Sequence, residues 1–168
     1  MALRRTIMLT ALAFAVAALA LTVAVASPGS AQTKAGVTHR PLKGHLSGVG
    51  SPVLPPGNYF GDVKTGVISH LGRVAYHVEG TYAQNGSGSF DLDGTVTIVT
   101  RNGRALTGTY HGTTSTGARV AATVHLTGGT GRFADVSGTW TQIDHNTQTP
   151  GEAFPNRGET RLKGHISY

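Results

Sequence analysis

Eight histidines are the first residues of this sequence that could do chemistry, because imidazole binds metals and transfers protons near neutral pH. No two of them show the His-x-His or His-x-x-x-His spacing, although His77, His111 and His125 could converge on one face of neighbouring strands. A tetrahedral metal site needs three or four convergent ligands, so exposed histidines are the favoured interpretation. The absence of cysteine excludes thiol catalysis and cysteine-based metal sites. We predict no metal site and no cofactor.

Charged side chains are the second group with possible chemistry. An enzyme working inside a barrel needs inward acid–base groups, but wherever the strand pattern is clear the charged and histidine side chains share the outward face. This outward set is His45, His77, His111, His125, His165, Lys43, Glu79, Asp91, Asp93, Glu159, Arg161 and Lys163. The pattern does not fix the face of Asp62 or Asp144. We assign no catalytic residue; an enzyme would be favoured if at least two acidic side chains lined an interior cavity, the candidates being Asp62, Glu79, Asp144 and Glu159.

Three aromatic residues are candidates for recognising a ligand. Tyr76 and Tyr110 occupy the apolar phase of their segments, and Trp140, the single tryptophan, shares its phase with Val136 and Gly138. Packing in a core is the default role for such side chains, and stacking on a ligand is the sharper alternative. Tyr76, Tyr110 and Trp140 are therefore the predicted ligand-binding residues.

The segments that must position these residues alternate with period two. Val74, Tyr76 and Val78 alternate with polar neighbours, as half-buried strands do, and Asn102-Gly103 predicts a tight hairpin turn. Glycine is abundant, with 24 copies, and charged residues make up only 13% of the chain, which argues against a helical bundle. Eight strands are predicted, at about 41–50, 59–69, 72–83, 88–100, 104–114, 118–127, 134–144 and 158–168.

The first and last predicted strands share a sequence, Leu42–Ser47 being echoed by Leu162–Ser167. Antiparallel pairing between them would close the sheet and remove its edges. The fold class predicted is therefore all-β, a single small antiparallel eight-stranded up-and-down barrel. Its interior is expected to be apolar, with fourteen buried side chains: Leu46, Val74, Tyr76, Val78, Val96, Ile98, Leu106, Tyr110, Val120, Val124, Leu126, Val136, Trp140 and Ile166.

The N-terminus has the layout of a secretory signal: two arginines, an apolar run from Ile7 to Ala26, and small residues before possible cleavage after Ala26 or Ala31. We predict a signal peptide at 1–31, a flexible segment at 32–40 and the barrel domain at 41–168. An uncleaved membrane anchor is the alternative, because twenty residues can span a bilayer. The arginine pair leaves general or twin-arginine export open.

The stretch Leu126–Gly138 contains a Gly-Gly-Thr-Gly-Arg-Phe turn, and it resembles a hairpin of the calycin-type allene oxide cyclase-like and dirigent-like barrels. More of the chain resembles a group of small exported bacterial β-barrel proteins of unknown function. That resemblance includes Ser69–Arg73, an Asn-Gly hairpin, the same turn and the terminal Gly164–Tyr168. The resemblance implies a barrel and carries no catalytic residue onto this sequence.

Together these features predict an exported, soluble and non-catalytic barrel that binds a small apolar ligand or an envelope partner. An allene oxide cyclase-like or dirigent-like enzyme is the first alternative. A small outer-membrane barrel is the second, because period two does not say which face lies inside. The basic residues are scattered with no run of three, so no nucleic-acid binding is predicted, and no stable membrane insertion is expected after signal cleavage.

Overall fold

The structure, a computed structural model, describes residues 39–51, 58–115, 118–147 and 156–168. The predicted signal peptide and residues 32–38 of the segment after it lie outside the described residues, so both stay predictions. Within the described ranges, no helix is long and apolar enough to cross a membrane.

Eight antiparallel strands form the described chain. They are β1 (His39–Ser51), β2 (Tyr59–Ile68), β3 (Gly72–Gln84), β4 (Phe90–Thr100), β5 (Ala105–Thr114), β6 (Arg119–Gly129), β7 (Ser137–Thr147) and β8 (Asn156–Ser167). All eight strands were predicted. The largest difference is in β7, which starts and ends three residues later than expected; a 3-10 helix at Gly131–Phe133 occupies the turn before it.

Each strand pairs with the next, and β8 pairs with β1, so the sheet closes into an up-and-down barrel. Lys43 stands opposite Lys163 in the closing pair, as the repeated sequence predicts. β1 begins two residues earlier than predicted because His39 and Arg40 already pair with β8. Closure leaves neither β1 nor β8 as a free edge, which confirms the predicted pairing.

The barrel has two different ends. At the turn end, short connections at 69–71, 101–104 and 130–136 join β2 to β3, β4 to β5 and β6 to β7. At the other end, called the loop end, residues 85–89 join β3 to β4, and β1, β5 and β7 end there at Ser51, Thr114 and Thr147. All fourteen predicted core side chains are buried, and the five histidines predicted to point outward are exposed.

Two glycines allow large side chains to enter this narrow barrel. A Cβ on Gly48 would lie 2.6 Å from the Cα of Lys64, and one on Gly164 would lie 2.5 Å from the Cα of Trp140. Such distances exclude any side chain at either glycine, so the backbones can approach closely there. Gly48 and Gly164 are the register partners of Lys64 and Trp140, which both point inward.

Candidate functional site

The barrel interior is polar toward the loop end, which corrects the prediction of a wholly apolar core. Lys64, Gln142 and Asp144 are each only 1% exposed, and Thr160 is fully buried. Neither Lys64, Gln142 nor Thr160 was singled out from the sequence. Since buried polar groups need partners, their arrangement defines the candidate site.

Lys64 lies inside because of its neighbours and not because of its own strand's pattern. It pairs in register with Gly48 on β1 and with inward-facing Tyr76 on β3. The valines on either side of it in β2, Val63 and Val67, point outward and are 57% and 55% exposed. This part of β2 therefore presents valines to solvent and a lysine to the interior, whereas Ile68 keeps the turn end of its inward face apolar.

β7 supplies the rest of the site by simple alternation. Trp140, Gln142 and Asp144 are spaced by two and all point inward. Asp144 stands opposite Thr160 of β8 in the register. The spacing from Trp140 was a usable signal for the inward face of Asp144, which like that of Asp62 had not been assigned from the sequence.

Asp144 is the centre of the polar cluster and accepts hydrogen bonds from four side chains. Lys64 Nζ donates to Oδ1 at 2.9 Å, and Gln142 Nε2 donates to Oδ2 at 3.0 Å. The Thr160 hydroxyl donates to Oδ1, and the Tyr110 hydroxyl lies 3.5 Å from Oδ2. This set of donors replaces the water that a buried carboxylate loses.

Lys64 bridges two carboxylates. Its Nζ donates to Asp62 Oδ2 at 2.9 Å as well as to Asp144, and the side chain of Asp62 remains 19% exposed. Burial alone would lower the pKa of Lys64, but the charges and hydrogen bonds of Asp144 and Asp62 outweigh it, so the pKa is raised and the amine stays protonated. One ammonium and two carboxylates leave this cluster with one net negative charge.

The three predicted ligand-binding residues all face this cluster. Tyr76 Oη and Trp140 Nε1 both donate to Gln142 Oε1, at 3.0 and 3.1 Å. Burial, followed by the charge of Asp144, raises the pKa of both Tyr76 and Tyr110, so the phenols stay neutral and act as donors. The structure thus brings Tyr76, Tyr110 and Trp140 together, and their contact with a ligand stays a prediction.

The rim above the cluster is aromatic and apolar. Phe60, at the loop end of β2, lies with its ring centroid 5.8 Å from that of Tyr110. Phe60 and Leu92 are both half-buried and pack against the core. The partly exposed carboxylate of Asp62 is on the same strand as Phe60 and follows it by two residues, so it shares its face.

The other candidates lie outside the barrel. His77, His111 and His125 are exposed, with His111 against Asp93 and His125 against Thr139. In the part of the chain that the structure describes, no group of three histidine or acidic side chains could hold a metal ion. Glu79 and Glu159, the remaining acidic candidates, are exposed on the outer face.

No family model matches the chain, and no curated protein matches it. Among solved structures, the chain is similar to that of the pterocarpan synthase dirigent protein GePTS1, with a TM-score of 0.41 and 13% sequence identity. The alignment covers 79% of this chain and 86% of that one.

Proposed function

We propose that this barrel is an exported, soluble binding protein for a small amphipathic molecule that enters at the loop end. The ligand places an apolar or aromatic body against Phe60 and Leu92 and presents a cationic or hydrogen-bond-donating group to Asp62. The observation that carries this proposal is Lys64, buried between two carboxylates, of which Asp62 is the one that reaches solvent. This proposal restricts the small apolar ligand expected from the sequence to molecules that also carry a polar head group.

The electrostatics of the cluster select the head group. Its net negative charge favours a cation over an anion. Among the described residues, Asp62 accepts a hydrogen bond only at Oδ2, from Lys64, whereas Asp144 already accepts from four donors. A carboxylate has about four lone-pair sites, so Asp62 is the acceptor with room for a ligand.

The outer face supports the soluble alternative over an outer-membrane barrel. Exposed charged side chains occur on β1, β3 and β8, including Lys43, Glu79 and Arg161, where lipid would require apolar ones. Export, and membership of the exported bacterial and calycin-type barrels, are part of this proposal and rest on the N-terminal layout and the hairpin sequence.

An acid–base enzyme of the allene oxide cyclase-like or dirigent-like kind is the second candidate. It is favoured by the placement of Asp62 and Asp144 inside the barrel beside an ammonium and the neutral phenol of Tyr110. In such an enzyme Asp62 would be the base, because the charge of Asp144 is held by its four donors. Recovery of a chemically altered ligand, detected by mass spectrometry, would favour the enzyme.

The binding test uses three probes that share one aromatic body: 2-phenylethylamine, 2-phenylethanol and phenylacetate. The fluorescence of Trp140, the single tryptophan, reports occupancy because its indole N–H is part of the cluster. We expect saturable binding in the order amine, alcohol, acid. Removing the charge with Asp62→Asn should weaken amine binding by about tenfold, the loss typical of one charge-assisted hydrogen bond.

Glu79→Gln is the matched control, because it removes one negative charge from the outer face of the barrel. It should leave the affinity for the amine unchanged. Equal affinity for all three probes, or equal losses in Asp62→Asn and Glu79→Gln, would contradict the proposed site.

A further inference from the structure

Four arginines converge at the turn end, opposite the end that carries the Asp144 cluster. Arg73 is near the start of β3, Arg101 and Arg104 flank the turn between β4 and β5, and Arg132 belongs to the 3-10 helix. All four line one pocket of about 330 Å³, whose apolar wall includes Phe133. They come from three separate segments of the chain, so the fold and not the local sequence brings them together.

The backbone of the β4–β5 turn fixes two of these arginines. The N–H of Arg101 donates to the carbonyl oxygen of Arg73 at 3.1 Å, which ties the turn to β3. Gly103 has a φ of +73° and donates to the carbonyl of Thr100 at 2.9 Å, and Thr100 in turn donates to the carbonyl of Arg104. The turn is therefore held before any ligand binds.

The other side of the pocket is held by stacking and close packing. The guanidinium carbon of Arg132 lies 4.7 Å from the ring centroid of Phe133, and its Nη2 donates to the carbonyl of His70 at 3.4 Å. The Nε of Arg104 lies 3.3 Å from the position that a Cβ on Gly131 would occupy. Glycine at this position leaves room for the arginine beside the 3-10 helix.

No carboxylate neutralises this group within the described ranges. The ion pairs of the described residues involve Lys64, His45 and His111, and none involves an arginine of the pocket. Asp135 is the single acidic residue in the three turn-end connections, and it forms no ion pair with them. Four like charges around one small pocket repel one another, and an anion would relieve that repulsion.

We propose that this arginine pocket binds a tetrahedral oxyanion, a phosphate or sulfate group. Guanidinium groups donate paired N–H bonds to such oxygens, and several arginines can share the three or four oxygens of one tetrahedral anion. The pocket volume of about 330 Å³ leaves enough room for one such group. This site is separate from the proposed loop-end site and does not depend on it.

The test titrates the purified protein with inorganic phosphate and with sulfate while backbone amide shifts are followed by NMR. We expect saturable shifts confined to 101–104 and 131–133 that weaken with added salt. The double variant Arg101→Gln/Arg104→Gln should bind phosphate and sulfate at least about tenfold more weakly, because it removes charge-assisted hydrogen bonds to the anion. Unchanged amide shifts in the rest of the barrel confirm that the variant is folded.

Arg119→Gln/Arg161→Gln is the matched control, since it removes the same charge from the loop end and the outer face. Similar losses in the two double variants, scattered shifts or the absence of saturation would overturn the proposal. Vesicles containing phosphatidylglycerol form a second arm. If vesicle binding requires Arg101 and Arg104, the bound phosphate group belongs to a lipid. If the protein binds inorganic phosphate but not the vesicles, the ligand is a soluble anion.

Discussion

On β2 the inward side chain is Ile68 near the turn end and Lys64 toward the loop end. β8 makes the same change, from Ile166 near the turn end to Thr160 toward the loop end. The strands thus keep one alternation of faces while the chemistry of the inward face changes along the barrel axis. Period two decides which side chains are buried, but it does not decide that they are apolar.

The two ends also differ in what their side chains contribute to stability. A buried apolar side chain at the turn end contributes roughly 1.5–3 kcal/mol, in proportion to the surface removed from water. A buried ion pair often stabilises a protein no more than apolar residues of similar size would, yet removing one partner is costly. The presence of the buried Lys64–Asp144 pair is therefore weak evidence for a stabilising role.

Lys64→Met should give the largest effect, because it keeps the side-chain length but leaves two carboxylates without their cation. We expect a loss of about 3–5 kcal/mol in the free energy of unfolding near neutral pH. Urea denaturation followed by Trp140 fluorescence measures it.

Leu106→Ala is the reference at the turn end, since Leu106 is fully buried and no charge changes. It should cost about 2–5 kcal/mol through the cavity it leaves. If Lys64→Met left the unfolding free energy unchanged while Leu106→Ala lowered it, the charge argument for the loop end would be wrong.

The parts of the fold that were predictable are those that each strand encodes for itself. The alternation of Val74, Tyr76 and Val78 indicates which face of β3 points inward. The repeat of the Leu42–Ser47 sequence in β8 predicted the pairing of β1 with β8. Lys64 was not predictable in this way. Its inward direction follows from its register with β1 and β3, a property of the closed sheet.

The polar cluster itself was only partly within reach of the sequence. Gln142 and Asp144 follow Trp140 at steps of two, so their face could have been inferred from the tryptophan. Their partners could not, because Lys64 and Thr160 are 80 and 16 residues away from Asp144 along the chain. The β7–β8 pairing places Thr160 opposite Asp144, and the closure of the barrel through β1 brings Lys64 to them.

Alkaline pH tests the same contrast with a smaller effect. The unfolded chain loses its protons above the ordinary pKa values of 10.5 for lysine and 10.0 for tyrosine, whereas the raised pKa values of Lys64, Tyr76 and Tyr110 keep them protonated in the folded state. Stability is therefore unaffected below about pH 10 and falls as pH rises above it, by about 1.4 kcal/mol per pH unit for each group.

Tyr110→Phe removes one of these groups, so its unfolding free energy should fall less steeply by about 1.4 kcal/mol per pH unit. Denaturation curves from about pH 9 to about pH 11 measure the slope. Leu106→Ala should run parallel to the unaltered protein, because the turn-end side chain does not titrate. Equal slopes for Tyr110→Phe and the unaltered protein would show that the buried phenol is not held neutral.

The smallest effect is expected one position away from Lys64. Val63→Thr keeps a β-branched residue on the outer face of β2, where the side chain is 57% exposed, and should change the unfolding free energy by less than about 0.5 kcal/mol. The same urea denaturation detects it. If Val63→Thr lowered the unfolding free energy as much as Lys64→Met does, β2 would have the opposite face inward. The difference between the two ends of the barrel would then not hold.

Until β8 pairs with β1, the barrel remains an open sheet. One edge of β1 stays unpaired until β8 pairs with it. Because these strands are the first and the last of the chain, their contact is long-range, and such contacts slow folding. Thr160, which completes the shell of donors around Asp144, arrives on that last strand. A chain halted before β8 would present two open edges, on β1 and β7, and both would invite other chains to pair. The addition of β8 therefore both completes the polar cluster and covers the strand edges through which the chain could aggregate.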